Sequence, residues 1–332
     1  MFAQRTKPVK ARYAETCEGR AAAPAKHGEA AMAGIGWQGT FVVAITPFTA
    51  DGSFDRAAMQ RLVDLFAAEG AEGVVVGGST GEFFSMSEEE LGELYRVAVN
   101  ASRGRMKVLA GTTAITTGAA QRLTQAAKEA GCDGAMLLPP PYVIPTTREL
   151  IHFFRAVAEV DLPMMLYNNP MRTGVNLNVQ VLRELVGIEQ IVAFKESAKE
   201  VAQFGATLRE FRDRLAIFTG FESHVLPSCS RGGVGVVAMA PNVLGARAMP
   251  LWEAAKAGNL PNAAVIQEEI DLLYAEMYSG RANPYVVIKE AMRLVGRPGG
   301  FPRPPLLSMT SDERASLAAA LRKLNLPILE TP

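Results

Sequence analysis

The spacing of apolar and polar positions along this chain has two regimes. From Trp37 to Met239, short apolar runs alternate with stretches in which apolar residues recur at helical period. The runs predict strands: FVVAIT ending at Thr46, GVVVG at Gly77, KVLAG at Gly111, GAMLL at Leu138, PMMLY at Tyr167, IVAFK at Lys195, LAIFT at Thr219 and GVGVVAM at Met239. Between them the spacing predicts helices over Asp55 to Glu69, Ser87 to Ser102, Thr117 to Ala130 and Thr147 to Val160, with Ser87 and Glu90 forming a capping box. Eight βα units in about 220 residues point to a closed (β/α)8 barrel over residues 37–258. An open doubly wound sheet is the alternative, weakened by the lack of a dinucleotide fingerprint. Past residue 259 the period turns purely helical, over Asn262 to Met277, Pro284 to Val295 and Thr310 to Leu324. Residues 259–332 are therefore expected to form a helical extension packed on the barrel.

Residues 1–36 differ again, being rich in Ala, Lys, Arg and Glu. They lack the apolar stretch of a secretory signal, and Glu15, Glu18 and Glu29 argue against an organellar transit peptide. They read as a mobile extension, with Met32 standing as an alternative start.

Charge and composition narrow the function classes. The chain carries 34 basic and 34 acidic side chains, so no strong field draws it to nucleic acid or an anionic membrane. No apolar run reaches the roughly 20 residues of a membrane helix. Cys17, Cys132 and Cys229 are scattered and odd in number, which suits reduced thiols in a cytoplasm. The expected partner is a small molecule. The three histidines are isolated and offer no metal-ligand spacing, so no metal is expected.

In a barrel, chemistry gathers where the strands end at the C-terminal face. Strand six ends in Lys195, strand five opens YNNPMRTG with Tyr167, strand two runs into GGSTGE over residues 77–82, and strand four runs into PPPYVIP with Tyr142. A lysine closing the run Ile191, Val192, Ala193, Phe194 points its amine at the barrel mouth or is buried. Held out of water, the amine is available in the neutral form that attacks a carbonyl. The alternative is a structural ion pair with Glu196. Tyr167 is either a proton shuttle for that chemistry or an aromatic bonded at the rim. Gly77, Ser79 and Gly81 also satisfy the G-x-S-x-G pattern of a serine nucleophile. That reading needs a downstream base, and only His152 and His224 follow, both inside helical segments. The glycines and hydroxyls are better explained as a backbone nest for a carboxylate.

Taken together, GSTGE, YNxPxRTG, FKE and the late NPxxxxKEAMRLVG segment resemble the dihydrodipicolinate synthase and N-acetylneuraminate lyase superfamily, over about Gly36 to Leu326. The resemblance implies a class I, Schiff-base aldolase or lyase. Lys195 would bind the keto group of pyruvate, and Tyr167 would relay protons. Thr80, with the backbone around Gly78, would hold the pyruvate carboxylate beside Val237. Ser79 would link Tyr167 to Tyr142 of a neighbouring subunit, so the site would be completed in a dimer, commonly within a homotetramer. Arg172 resembles the arginine by which the synthases grip the second substrate's carboxylate.

Two departures bear on the choice of member. Ser79 stands where synthases carry threonine, and GFES at 220–223 replaces their acidic pair, with Glu222 close to where sugar-acid lyases place a residue for substrate hydroxyls. The favoured expectation is condensation of pyruvate with aspartate semialdehyde in lysine biosynthesis. The alternative is a keto-deoxy sugar-acid aldolase or dehydratase, or a lyase like the neuraminate enzymes. A paralogue that binds a metabolite without catalysis is a third, disfavoured by intact Lys195, Tyr167 and Tyr142. No cofactor beyond the covalent imine is expected.

Overall fold

The computed structural model of the protein describes residues 35–329. Residues 1–34, most of the expected extension, lie outside the described residues. Eight parallel strands close in sequence order, each hydrogen-bonded to the next and β8 to β1, which rules out the open sheet. They are β1 (Gly39–Val43), β2 (Gly73–Val76), β3 (Lys107–Gly111), β4 (Gly134–Leu137), β5 (Met164–Asn168), β6 (Ile191–Glu196), β7 (Ala216–Thr219) and β8 (Gly235–Ala238). The outer ring consists of α1 (Arg56–Ala68), α2 (Glu88–Ser102), α3 (Thr117–Ala130), α4 (Thr147–Ala158), α5 (Val179–Leu185), α6 (Val201–Phe211), α7 (Val225–Cys229) and α8 (Leu251–Lys256). Strands buried on both faces read as continuous apolar runs, which is why each was visible in the sequence. The last residues of several runs, such as Ala44 to Thr46, leave the sheet and enter loops.

Local chemistry sets the helix starts. Asp55 accepts the N–H of Ala58 at 2.9 Å, and Ser87 and Glu90 form the expected reciprocal capping box. Three further helices follow the barrel: α9 (Leu260–Met277), α10 (Pro284–Leu294) and α11 (Ser311–Lys323), the last opened by a box of Thr310 and Glu313. Helix α10 is buried nearly all round, from Tyr285 to Met292. The segment after it returns to the barrel mouth, where Phe301 bridges Phe48 in the loop after β1. No helix among the described residues is long and apolar enough to cross a membrane.

The barrel interior is a packed core of its own. Trp37, Phe41, Val43, Val75, Leu109, Met136, Met165, Ala193, Phe218 and Val237 fill it, and Tyr167 caps that layer. Gly134 admits Trp37, since a Cβ there would stand 2.4 Å from the indole, and Gly235 likewise admits Phe218. A second layer of larger extent packs the outer strand faces against the helices.

One irregularity decides what enters the mouth. Met164 pairs with Ile191 but Met165 pairs with Ala193, so Val192 is an extra residue in β6, a β-bulge. On an unbroken strand Ile191, Ala193 and Lys195 would share a face. Ile191 instead packs outward among the helices while Ala193 lies inside the barrel. The bulge flips the alternation, and Lys195 follows Ala193 inward.

Candidate active site

Lys195 and Tyr167 are register partners on β6 and β5, and neighbouring partners of a parallel pair point to the same face. Both are buried, and the Lys195 Nζ lies 4.0 Å from the centroid of the Tyr167 ring. The suspected ion pair of Lys195 with Glu196 does not occur, because successive residues of a strand face opposite ways. Glu196 Oε1 accepts from the Asn168 amide at 2.8 Å and from the Ala198 N–H at 2.8 Å, and Oε2 accepts from Gln203 at 3.2 Å. Burial with only these neutral donors pushes the Glu196 carboxyl up. Its work is structural, tying the end of β6 to Asn168 at the end of β5.

The phenol of Tyr167 accepts a hydrogen bond from Asn169 Nδ2 at 2.8 Å. Burial pushes the phenol up. The charge of Lys195, followed by hydrogen bonds from Asn169, Ser197 and Lys195, outweighs burial, so the phenol lies below its ordinary value. Ser197 is 3% exposed, and the phenol of Tyr167 is the group its hydroxyl faces. Gly220, directly after β7, leaves it room. A Cβ at that position would stand 1.8 Å from Ser197 Oγ and 2.8 Å from Lys195 Cε. Asn169, Ser197 and Gly220 were not singled out from the sequence. Small residues carry little signal there, although a glycine immediately beyond a strand end is one.

The GGSTGE turn forms one rim. Gly81 and Glu82 donate their N–H groups to the carbonyls of Gly78 and Ser79, and Thr46 donates to the Gly81 carbonyl at 2.7 Å. Gly78 packs against Val43, Val75 and Met136 of the barrel interior. Thr80 is buried and lies 3.7 Å from the Met239 sulfur. A short 3-10 turn, Phe83–Ser85, follows rather than a long helix, and His224 is packed between the rings of Phe204 and Phe221. His152 sits exposed on α4. Neither histidine is arranged as a base for Ser79, which removes the hydrolase reading.

Arg172 lies on the short helix Pro170–Thr173 after β5, with its guanidinium 5.5 Å from the ring of Tyr285 of α10. Tyr278, at the end of α9, is close enough to feel the charges of Arg172 and Glu222. The helical extension therefore lines the mouth, a contribution the sequence analysis did not foresee.

Two expected site residues are placed apart from this group. Glu222 is 2% exposed, and its Oε1 accepts the N–H groups of Met239 at 2.7 Å and Ala240 at 3.0 Å. That oxygen braces the end of β8, and the Tyr274 phenol lies against the carboxylate. Tyr142 is 89% exposed, in the left-handed region at φ 77°, beside exposed Val143 and Ile144. Within one chain it does not reach Tyr167. Val237 lies in the interior layer with Tyr167, as its position near the end of β8 requires.

Comparison with known proteins places this geometry. Residues 37–324 match the model of the dihydrodipicolinate synthetase family. An uncharacterized DapA-like lyase of Rhizobium meliloti is 40% identical over 293 residues, covering 88% of this chain and 98% of the relative. Dihydrodipicolinate synthase from Aquifex aeolicus superposes with a TM-score of 0.82 at 33% identity, over 88% of this chain and 99% of the other. YagE, a prophage protein of Escherichia coli K12 belonging to the dihydrodipicolinic acid synthase family and solved in complex with pyruvate, gives 0.82 at 29% identity, over 87% and 99%.

Proposed function

The chain belongs to the dihydrodipicolinate synthetase family of pyruvate-dependent lyases, and from that premise we propose that it condenses pyruvate, bound as an imine on Lys195, with aspartate semialdehyde, the reaction of a 4-hydroxy-tetrahydrodipicolinate synthase. The observation that carries this reading is Lys195 buried in register with Tyr167 at the barrel mouth.

The neutral Lys195 amine attacks the C2 carbonyl of pyruvate. Tyr167 supplies a proton to the carbinolamine oxygen, which leaves as water, and the C=N bond forms. The Tyr167 phenolate then takes a C3 proton to give the enamine, and the imine nitrogen takes up the electron pair. Attack of C3 on the aldehyde carbon forms the new C–C bond, Tyr167 returns its proton to the alkoxide, and water releases the product from Lys195. A phenol held below its ordinary value gives up its proton more readily than an ordinary tyrosine. Thr80 and the amides after Gly78 hold the pyruvate carboxylate, Val237 forms the apolar wall, and Arg172 meets an anionic group on the second substrate. No metal or organic cofactor enters the scheme.

The exposed Tyr142, Val143 and Ile144, with Phe84 and Met171, form apolar surface around the mouth, which suits a second copy of the chain. In that dimer the partner would bring Tyr142 to Ser79, and two dimers would make the tetramer. The enzyme would act in cytoplasmic lysine biosynthesis. A second reading, cleavage or dehydration of a keto-deoxy sugar acid, is favoured by Ser79 in the carboxylate turn.

The test is turnover with pyruvate and a panel of aldehydes. Preference for aspartate semialdehyde above about a thousandfold, ~4 kcal/mol in the transition state, supports the synthase. A sugar-derived aldehyde as the best substrate supports the second reading.

A further inference from the structure

The carboxylate turn is held from outside the barrel by a charge that the scheme above does not use. Glu82 closes the GGSTGE turn two residues after Thr80, in the left-handed region at φ 55° that L-residues avoid. Its carboxylate is fully buried and ion-paired with Lys289 of α10, itself 1% exposed. Lys289 also donates to the Phe301 carbonyl at 2.9 Å and lies 4.4 Å from the ring centroid of Phe48. The other oxygen of Glu82 accepts the Arg303 N–H at 3.2 Å. Arg303 is fixed independently, by a fork onto Glu90 at 2.6 and 2.7 Å and by the carbonyls of Gly52 and Ser85. Among the described residues the Lys289 pair is the one salt bridge that Glu82 makes.

We propose that Lys289 is a positioning residue for pyruvate: through Glu82 it locks the turn that presents Thr80 and its neighbouring amides to the substrate carboxylate, an inference that rests on the pyruvate reading above. A buried carboxylate deprived of its cation is strongly destabilised. Glu82 regains water by leaving its left-handed turn. That movement carries Thr80 with it, because only Gly81 separates them. Lys195, held by β6, does not move. The expected signature is therefore weaker pyruvate binding with little change in the chemical step.

The charge is also conditional. Burial pushes Lys289 down to about 8, against the opposing pull of Glu82 and with Arg303 adding to the fall. Glu82 and Arg303 are the charged groups that face it from the turn and from the segment after α10. Below that pH the lysine is charged and the lock is closed; above it, the lock opens.

Pyruvate binding by calorimetry and borohydride trapping at Lys195 test this in parallel on wild type, K289M, E82Q and the double variant. At pH 7, K289M should bind pyruvate about tenfold more weakly, the scale of one charged hydrogen bond, with its maximal trapping rate within about twofold of wild type. The gap should narrow toward pH 9, where wild type has lost the same charge. The double variant, with no unpaired charge left, should recover most of the affinity. Folded K289M with wild-type affinity overturns the proposal, and so does failure of both single variants to fold, which would make the pair a folding element. Wild type that binds pyruvate but takes no label on Lys195 refutes the imine alone, leaving the affinities to decide on Lys289. Wild type that binds no pyruvate overturns both.

Discussion

Lys195 and Lys289 are 4% and 1% exposed, and each amine lies over an aromatic ring, 4.0 Å from Tyr167 and 4.4 Å from Phe48. The two differ in what else surrounds them. Lys289 is closed in by the Glu82 carboxylate and the Phe301 carbonyl, groups that accept hydrogen bonds from an ammonium and hold it in place. Lys195 faces the phenol of Tyr167 and the Ser197 hydroxyl, in room that only a glycine at position 220 leaves. Burial shifts Lys289 as far as about 8, yet nothing beside it could serve a carbinolamine. A depressed lysine is thus a poor guide to reactivity until a group able to give a proton to the departing oxygen has been identified beside it.

The contrast breaks most directly at Tyr167. Tyr167→Phe should lower kcat by about 100- to 10,000-fold, the usual range for a general acid or base, while pyruvate binding persists. A loss under about threefold would remove the phenol from the chemistry. Next comes the space beside Lys195. Gly220→Ala places a methyl where Ser197 and the Lys195 side chain now are, and misplacing the amine by about 1 Å should cost on the order of a hundredfold in turnover. Steady-state kinetics on the folded variant check this, and near-wild-type activity would show that the pocket is looser than described.

Tyr142 sharpens the comparison from outside the chain. Tyr142→Phe should reduce turnover by at least about threefold and leave pyruvate affinity intact. Mixed dimers with Lys195→Ala subunits should regain part of the activity, whereas none in verified heterodimers would argue for a site within one chain. The smallest effect is on pH. The Lys195 charge and the Asn169 bond favour the phenolate, so Tyr167 releases its proton below the ordinary tyrosine range. Asn169→Ala removes a donor to the phenolate and should move that limb of the kcat profile upward. A downward shift would contradict the assigned direction.

The sequence exposed the strands and Lys195 for the same reason. Eight runs were apolar enough to be buried on both faces, and a charge closing one of them had to be accommodated somewhere. It could not show which way Lys195 faces, because Val192 and Ala193 are both apolar and hide the bulge that sets the alternation. The bracing of β8 by Glu222 was not legible either, because it depends on where the backbone of Met239 and Ala240 arrives, a tertiary fact. Ser197 and Gly220 are too small to mark a pattern. The role of the helical extension was hidden in another way: Tyr285 and Lys289 meet Arg172 and Glu82, partners more than a hundred residues earlier in the chain.

The central claim, that Lys195 and not Lys289 is the nucleophile, is tested by one measurement. Wild-type protein is reduced with borohydride in the presence of pyruvate, digested, and its peptides weighed. One pyruvate-derived mass should appear on the peptide containing Lys195, none on that containing Lys289, and none anywhere in Lys195→Ala; label on Lys289, or label that survives in Lys195→Ala, would contradict the account.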